Sequence, residues 1–252
     1  MDLHLKGKVA LVTGGSRGLG RAIALALAAE GAGVAVNYRE SADKARAVAG
    51  EIARAGGRAV AVRADIAREA EVVAMFDEIE KALGPVEVLV NNAAYCPVVP
   101  TTQITAEEWD RALQVNVTGT FLCSREMIRR LLALGRKGRI VNVSSQAAFR
   151  GSESGKSAYD ASKGAIVAFT VSLAREMARK GIAVNAVAPG LMYTEMLAPY
   201  VDAAPEKFNS RLPIGRLGRP EEVADVVAFL ASDRASFMTG ATVDVSGGML
   251  MR

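Results

Sequence analysis

Tyr159 and Lys163 stand four residues apart in AYDASKGAIVAF, residues 158–169, a small-residue run that reads as helix. Side chains at i and i+4 share one helix face, so a phenol and an ammonium would meet there. A free tyrosine ionises near pH 10, and a cation held close by favours the phenolate, which makes the hydroxyl a usable acid or base. Ser145, just past the apolar run that begins at Arg139, could aim a second hydroxyl at the same substrate oxygen. Alone, Tyr-x-x-x-Lys is more often a partly buried tyrosine beside a solvated lysine. Its weight depends on the elements around it.

Those elements alternate. Strand-like runs at Lys8–Thr13, Gly33–Tyr38, Arg58–Arg63, Val86–Asn91, Arg139–Val143, Ile182–Val187 and Ala241–Val245 are separated by helix-period segments at Arg21–Glu30, Ser41–Ala55 and Glu69–Leu83. A further helix opens on a Thr105/Glu108 capping box and runs to about Leu134; others carry Tyr159 and Lys163, and span Pro220–Ser232. Seven strands with helical crossovers predict an α/β fold, a doubly wound parallel sheet with helices on both faces. No linker or repeat interrupts it, so residues 1–252 are expected to form one domain. The exception to the periodicity is 191–213, which is long enough to predict a functional lid.

Between the first strand and first helix lies TGGSRGLG, residues 13–20. Gly14, Gly18 and Gly20 permit a tight turn and close backbone approach, and the helix behind them aims its amide donors at an anion. A pyrophosphate fits this arrangement, although the spacing Gly-x-x-x-Gly-x-Gly departs from the commonest dinucleotide fingerprint. At the end of the second strand, an acid would bind a ribose 2′-hydroxyl. This chain has Asn37-Tyr38-Arg39 there, with Arg17 in the glycine turn, which predicts NADP(H) over NAD(H); Glu40 and Asp43 blur that preference.

Composition excludes several alternatives. The net charge of +4 comes from interleaved acids and bases, without a nucleic-acid footprint. The single histidine, His4, speaks against a histidine base or a histidine-ligated zinc, and Cys96 and Cys123 lack metal-ligand spacing, so no metal is expected. No apolar run approaches a membrane span and no signal-peptide pattern opens the chain, which predicts a cytoplasmic protein.

Taken together, TGGSRGLG, Asp65-Ile66, NNAA at 91–94, Asn116 in LQVNVTG, Ser145, YDASK at 159–163, Pro189-Gly190 and the closing RLGRPEEVADVVAFLASDRASFMTGATVDVSGG form a set. In order and spacing, over nearly the whole length, the chain resembles the short-chain dehydrogenase/reductase family. The resemblance implies a Rossmann fold and a reaction between a ketone and a secondary alcohol. It implies Tyr159 as proton donor, Lys163 lowering its pKa and binding the nicotinamide ribose, Ser145 on the substrate oxygen, and Asn116 holding a water. For the cofactor it implies the turn residues Gly14, Ser16, Arg17, Gly18, Leu19 and Gly20. Asp65 and Ile66 would face the adenine, Asn91 and Ala93 the adjoining ribose, and Pro189, Gly190 and Thr194 the nicotinamide. Ala94 departs from the usual glycine. The interval from Ser145 to Tyr159 is about one residue longer than usual, and Ser144 is the alternative hydroxyl.

The expected pocket walls, Tyr95, Cys96, Pro97, Gln146, Ala147, Met192 and Met196, are mainly apolar and suit a neutral ketone or acyl chain. Within the family the pattern most resembles 3-oxoacyl-acyl-carrier-protein reductases. In that reading, arginines from 125 onward, with Arg175, Arg179 and Lys180, would dock an acidic carrier protein; the bland alternative is a set of ordinary helix-end cations. Dehydrogenation of a sugar or polyol, and a non-catalytic dinucleotide-binding protein, are the competing functions. The resemblance also implies a homotetramer.

Overall fold

The computed structural model describes residues 2–153, 155–195 and 197–251. Strand β1 (Val9–Val12) leads through the glycine turn into α1 (Gly18–Ala29); β2 (Gly33–Tyr38), α2 (Ala42–Arg54), β3 (Ala59–Arg63) and α3 (Glu69–Ala82) follow. Then come β4 (Val88–Asn91), α4 (Ala106–Leu113), α5 (Gly119–Ala133), β5 (Gly138–Val143), the short α6 (Ala147–Arg150) and α7 (Ser157–Met177). The remainder is β6 (Ile182–Pro189), α8 (Ala198–Ala203), α9 (Pro205–Asn209), α10 (Pro220–Ala231) and β7 (Thr242–Val245).

The seven strands are all parallel, in the order β3-β2-β1-β4-β5-β6-β7. Alternation along each strand divides the core. Val12, Val36 and Val90 pack with α1, α2 and α10 on one face, while Leu11, Ala35 and Leu89 pack with α3, α5 and α7 on the other. The sheet is therefore covered twice, as a doubly wound Rossmann sheet must be. The order reverses between β1 and β4, and loops at the carboxyl ends of the strands beside such a reversal form the usual ligand crevice of open α/β sheets.

Two elements differ from the sequence expectation. The long helix after Thr105 is interrupted at Gln114–Thr118 by a π-helical turn between α4 and α5, although the Thr105/Glu108 capping box forms. The stretch 191–213 contains α8 and α9 and has its own small apolar cluster, in which Val201 and Leu212 are buried with Leu217 and Met249.

Candidate active site

The glycine turn is pinned from three directions. Thr13 Oγ1 accepts from the backbone amides of Asn92 (2.9 Å) and Ala93 (3.0 Å). Asn92 Nδ2 donates to the Thr13 and Gly14 carbonyls, and the Gly14 amide donates to Asn37 Oδ1 at 3.2 Å. Gly14 adopts φ +62°, and a Cβ built there would lie 2.9 Å from Ala93 Cα, so both its conformation and its space require glycine. The first turn of α1 has no side-chain cap and no acid, which leaves its amide donors free for an anion.

These contacts shape a cleft of about 390 Å³. Gly14, Ser16, Arg17, Leu19, Gly20, Asn37, Tyr38, Arg39, Asp65, Ile66, Ala93 and Tyr95 all line it, and exposed Ala94 does so too. Glu40, already expected near the 2′ end, lines it as well, and so do Ser41, Ala64, Asn92 and Val115, which were not anticipated. Gly18, at φ +53°, opens α1 without lining the cleft.

Cys96, next to Tyr95, lies close enough to Tyr159 and Lys163 to act on the charge of both. The Ser145 side chain lies beside the Tyr159 phenol, close enough to favour its ionised form. Burial pushes the phenol's ionisation well above the usual tyrosine value, and Ser145 opposes that rise. Lys163 is 3% exposed, donates to the Val143 carbonyl at 2.6 Å, and places Nζ 5.5 Å from the Tyr159 ring centroid. Burial draws its pKa down to about 8. The expected meeting of phenol and ammonium on one helix face therefore occurs, but in the ligand-free protein burial outweighs any help the cation gives the phenolate. Ser144 is buried and donates to the Lys163 carbonyl, so its hydroxyl faces the helix backbone, whereas Ser145 is the one at the phenol.

The chain matches the family model described as Enoyl-(Acyl carrier protein) reductase over residues 14–250. It is 47% identical over 244 residues to an uncharacterised oxidoreductase of Escherichia coli, covering 95% of this chain and 99% of that one. It is 41% identical over 250 residues to a 3-oxoacyl-[acyl-carrier-protein] reductase of Aquifex aeolicus, covering 99% and 100%. A solved short-chain type dehydrogenase/reductase from Mycobacterium marinum superposes with a TM-score of 0.94 at 36% identity, over 100% of this chain and 98% of that one. The chain belongs to the short-chain dehydrogenase/reductase family. It is accordingly an NAD(P)-dependent oxidoreductase.

For a family member, three placements bear on the sequence reading. The Asn91 side chain turns away from the cleft: the residue is 4% exposed, and its Nδ2 donates to Ser124 Oγ and Asn142 Oδ1 beneath the sheet, while Asn92 lines the cleft. Asn37 lines the cleft, and its side-chain amide braces the turn, accepting from the Gly14 amide and donating to the Val62 and Ala64 carbonyls. Asn116, in the π-helical turn, spends its side chain on protein groups: Oδ1 accepts from the Tyr95 amide (2.7 Å), and Nδ2 donates to the Tyr95 carbonyl (2.9 Å) and Ser162 Oγ (2.8 Å). Ser162 in turn donates to the Tyr159 carbonyl at 2.6 Å. Asn116 thus ties the cleft wall to the helix that carries the phenol.

The other expected residues are more dispersed. Pro189 ends β6 in register with Val245, and Gly190 lies so close to Ser246 that a Cβ would sit 2.7 Å from its Cα. The Thr194 carbonyl accepts from Leu197 and Ala198 at the head of α8. The Gln146 backbone N–H donates to the Pro189 carbonyl. Met192 lines a separate cleft with Arg216 and Asp244, and bridges to Gly218. Met196 lies outside the described residues.

The basic cluster is largely neutralised. Arg130 is ion-paired to Asp77, Glu80 and Glu126 at 2.7–2.9 Å and is 19% exposed, so it is not available for docking. Arg125 pairs with Glu69, Arg136 with Glu87, and Arg139 with Asp233. Among the described residues Arg129, Arg175, Arg179 and Lys180 are exposed and have no ion pair.

Proposed function

We propose that this oxidoreductase is an NADPH-dependent ketoreductase acting on a 3-oxoacyl thioester or a similar carbonyl. The observation that carries this reading is the apposition of the Ser145 side chain and the Tyr159 phenol, with buried Lys163 one helical turn on, beside the cleft of the glycine turn. When bound, the reduced nicotinamide supplies a hydride to the carbonyl carbon. The chain's own residues do the rest: Ser145 and Tyr159 hydrogen-bond the carbonyl oxygen, and the Tyr159 hydroxyl gives its proton to that oxygen as the alcohol forms. A phenol kept protonated by burial suits a proton donor in the reducing direction. Lys163 is held against the Val143 carbonyl within reach of the tyrosine ring, and Asn116 fixes the helix through Ser162.

The close approach of Gly14 to Ala93 and the uncapped α1 suit a dinucleotide pyrophosphate. Arg17 and Arg39 at the adenine end support NADP(H), since Glu40 is held by Arg39 and no carboxylate occupies the end of β2. The 3-oxoacyl substrate rests on the relatives so named and on the apolar character of Tyr95, Pro97 and Ala147. Docking of a carrier protein would fall to Arg129, Arg175, Arg179 and Lys180. Exposed Phe121 on α5 and Val171 on α7 support association of copies through those helices, and 191–213 is read as a lid over the substrate.

NADPH consumption with a short 3-oxoacyl thioester tests the reading. Tyr159→Phe is expected to lower kcat by at least about 100-fold while NADPH still binds. No turnover by the unmodified protein, with NADPH bound, would exclude the thioester and direct the search to sugars, polyols and cyclic ketones.

A further inference from the structure

A second cleft, of about 310 Å³, opens beside the first and shares Arg39, Glu40 and Asp65 with it. Its wall contains four guanidiniums, those of Arg39, Arg63, Arg68 and Arg111. Three of them are already engaged. Arg39 pairs with Glu40, Arg68 pairs with Glu71 at 3.4 Å, and Arg111 stacks over the Tyr95 ring at 4.5 Å. Arg63 differs. It ends β3 in register with Tyr38, the last residue of β2, and its Nε donates to the Arg39 carbonyl at 3.3 Å. Among the described residues, its two terminal nitrogens have no hydrogen-bond or ion-pair partner.

We propose that Arg63 is a specificity-determining residue for the cofactor's 2′-phosphate, acting beside Arg39 at the junction of the two clefts. This inference rests on the NADP(H) reading above. An incoming phosphate meets at Arg39 a guanidinium whose charge Glu40 offsets. Among the described residues, Arg63 supplies a cation that no carboxylate pairs; Arg111, also without an ion pair, stacks over Tyr95, whereas Arg63 bonds the Arg39 carbonyl and so holds in place the turn from which Arg39 projects. The guanidinium fork permits both at once: one nitrogen holds the backbone while two others are free for phosphate oxygens.

The test compares the affinities of 2′,5′-ADP and 5′-AMP, which differ only in the 2′-phosphate, for the unmodified protein, Arg63→Ala and Arg63→Glu. The unmodified protein is expected to prefer 2′,5′-ADP. Arg63→Ala should cut that preference about tenfold through weaker 2′,5′-ADP binding at unchanged 5′-AMP affinity, the loss typical of a charge-assisted hydrogen bond. Arg63→Glu should cut it further. A preference within about twofold of the original in both variants overturns the inference, as does an equal loss for both ligands, which marks a merely structural role. If the unmodified protein itself shows no preference, the NADP(H) reading fails and this inference falls with it, a result distinct from a preference that survives loss of Arg63.

Discussion

The two sides of the site are built on different physical terms. On the cofactor side, the glycine turn, β2 and the loop after β4 interlock through partly buried side-chain-to-backbone hydrogen bonds from Thr13, Asn37 and Asn92, and Gly14 and Gly20 leave no room for a side chain. On the other side, 191–213 rests on a small apolar cluster, and its leading edge reaches α2 through an exposed ion pair, Lys44 Nζ to Glu195 Oε2 at 2.9 Å. The first arrangement fixes geometry before a ligand arrives; the second can give way at little cost. An oxidoreductase that must hold its cofactor in one pose yet admit and release substrate needs both.

The sharpest way to break the comparison is to add one carbon to the rigid side. A Cβ on Gly20 would lie 2.2 Å from the Gly14 carbonyl oxygen and 2.6 Å from Asn92 Nδ2, both within the interlocked turn. Neither neighbour is the free end of a flexible chain. Gly20→Ala is therefore expected to destabilise the protein by at least the upper part of the about 1–3 kcal/mol usual for overpacking, and to abolish measurable NADPH binding. Denaturant unfolding and fluorescence titration check it; normal cofactor affinity would mean the turn is not rigid.

A somewhat smaller effect should come from Lys163. The unfolded chain releases this proton near pH 10.5 and the folded one at about 8, because burial disfavours the charged form. Between those values the unfolded state holds more protons, so stability rises with pH across that window. Relative to Lys163→Met, which cannot titrate, the ligand-free protein should gain roughly 2 kcal/mol between pH 7.5 and 9.5. Parallel pH curves for the two would show that the ammonium is better solvated than its contact with the Val143 carbonyl implies.

The same contrast explains what the sequence disclosed. The sheet was legible because alternation and crossover length are local, and the glycine turn and the Tyr159/Lys163 spacing because each lies within one turn or one helix. Features settled between distant segments were not. The π-helical turn forms where Asn116 meets Tyr95 and Ser162, neither of which its own helix announces. Arg130 looked free because two of its three carboxylates, Asp77 and Glu80, come from α3. For Asn91 a signal existed: it shares parity with Leu89, which faces α3, α5 and α7, so its side chain had to point into that layer and away from the cleft.

The smallest expected effect tests the compliant side. Glu195 sits within electrostatic reach of Arg17 and Arg21 as well as Lys44, which places its carboxylate at the positive mouth of the cofactor cleft. Breaking the pair with Lys44→Ala or Glu195→Gln should leave the thermal midpoint unchanged, because exposed ion pairs contribute little to stability. Release of NADP(H) should nonetheless quicken by roughly two- to fivefold at low salt, since one tether fewer holds the segment across the exit. Added salt should bring the unmodified protein up to the variants' release rate and leave the variants themselves nearly unaffected, and the double variant should release no faster than either single one. Stopped-flow displacement reads all of these rates. If release is unchanged by both substitutions, the segment is held at the cleft by its apolar cluster alone, and its compliance must be sought at Val201 and Leu212 instead.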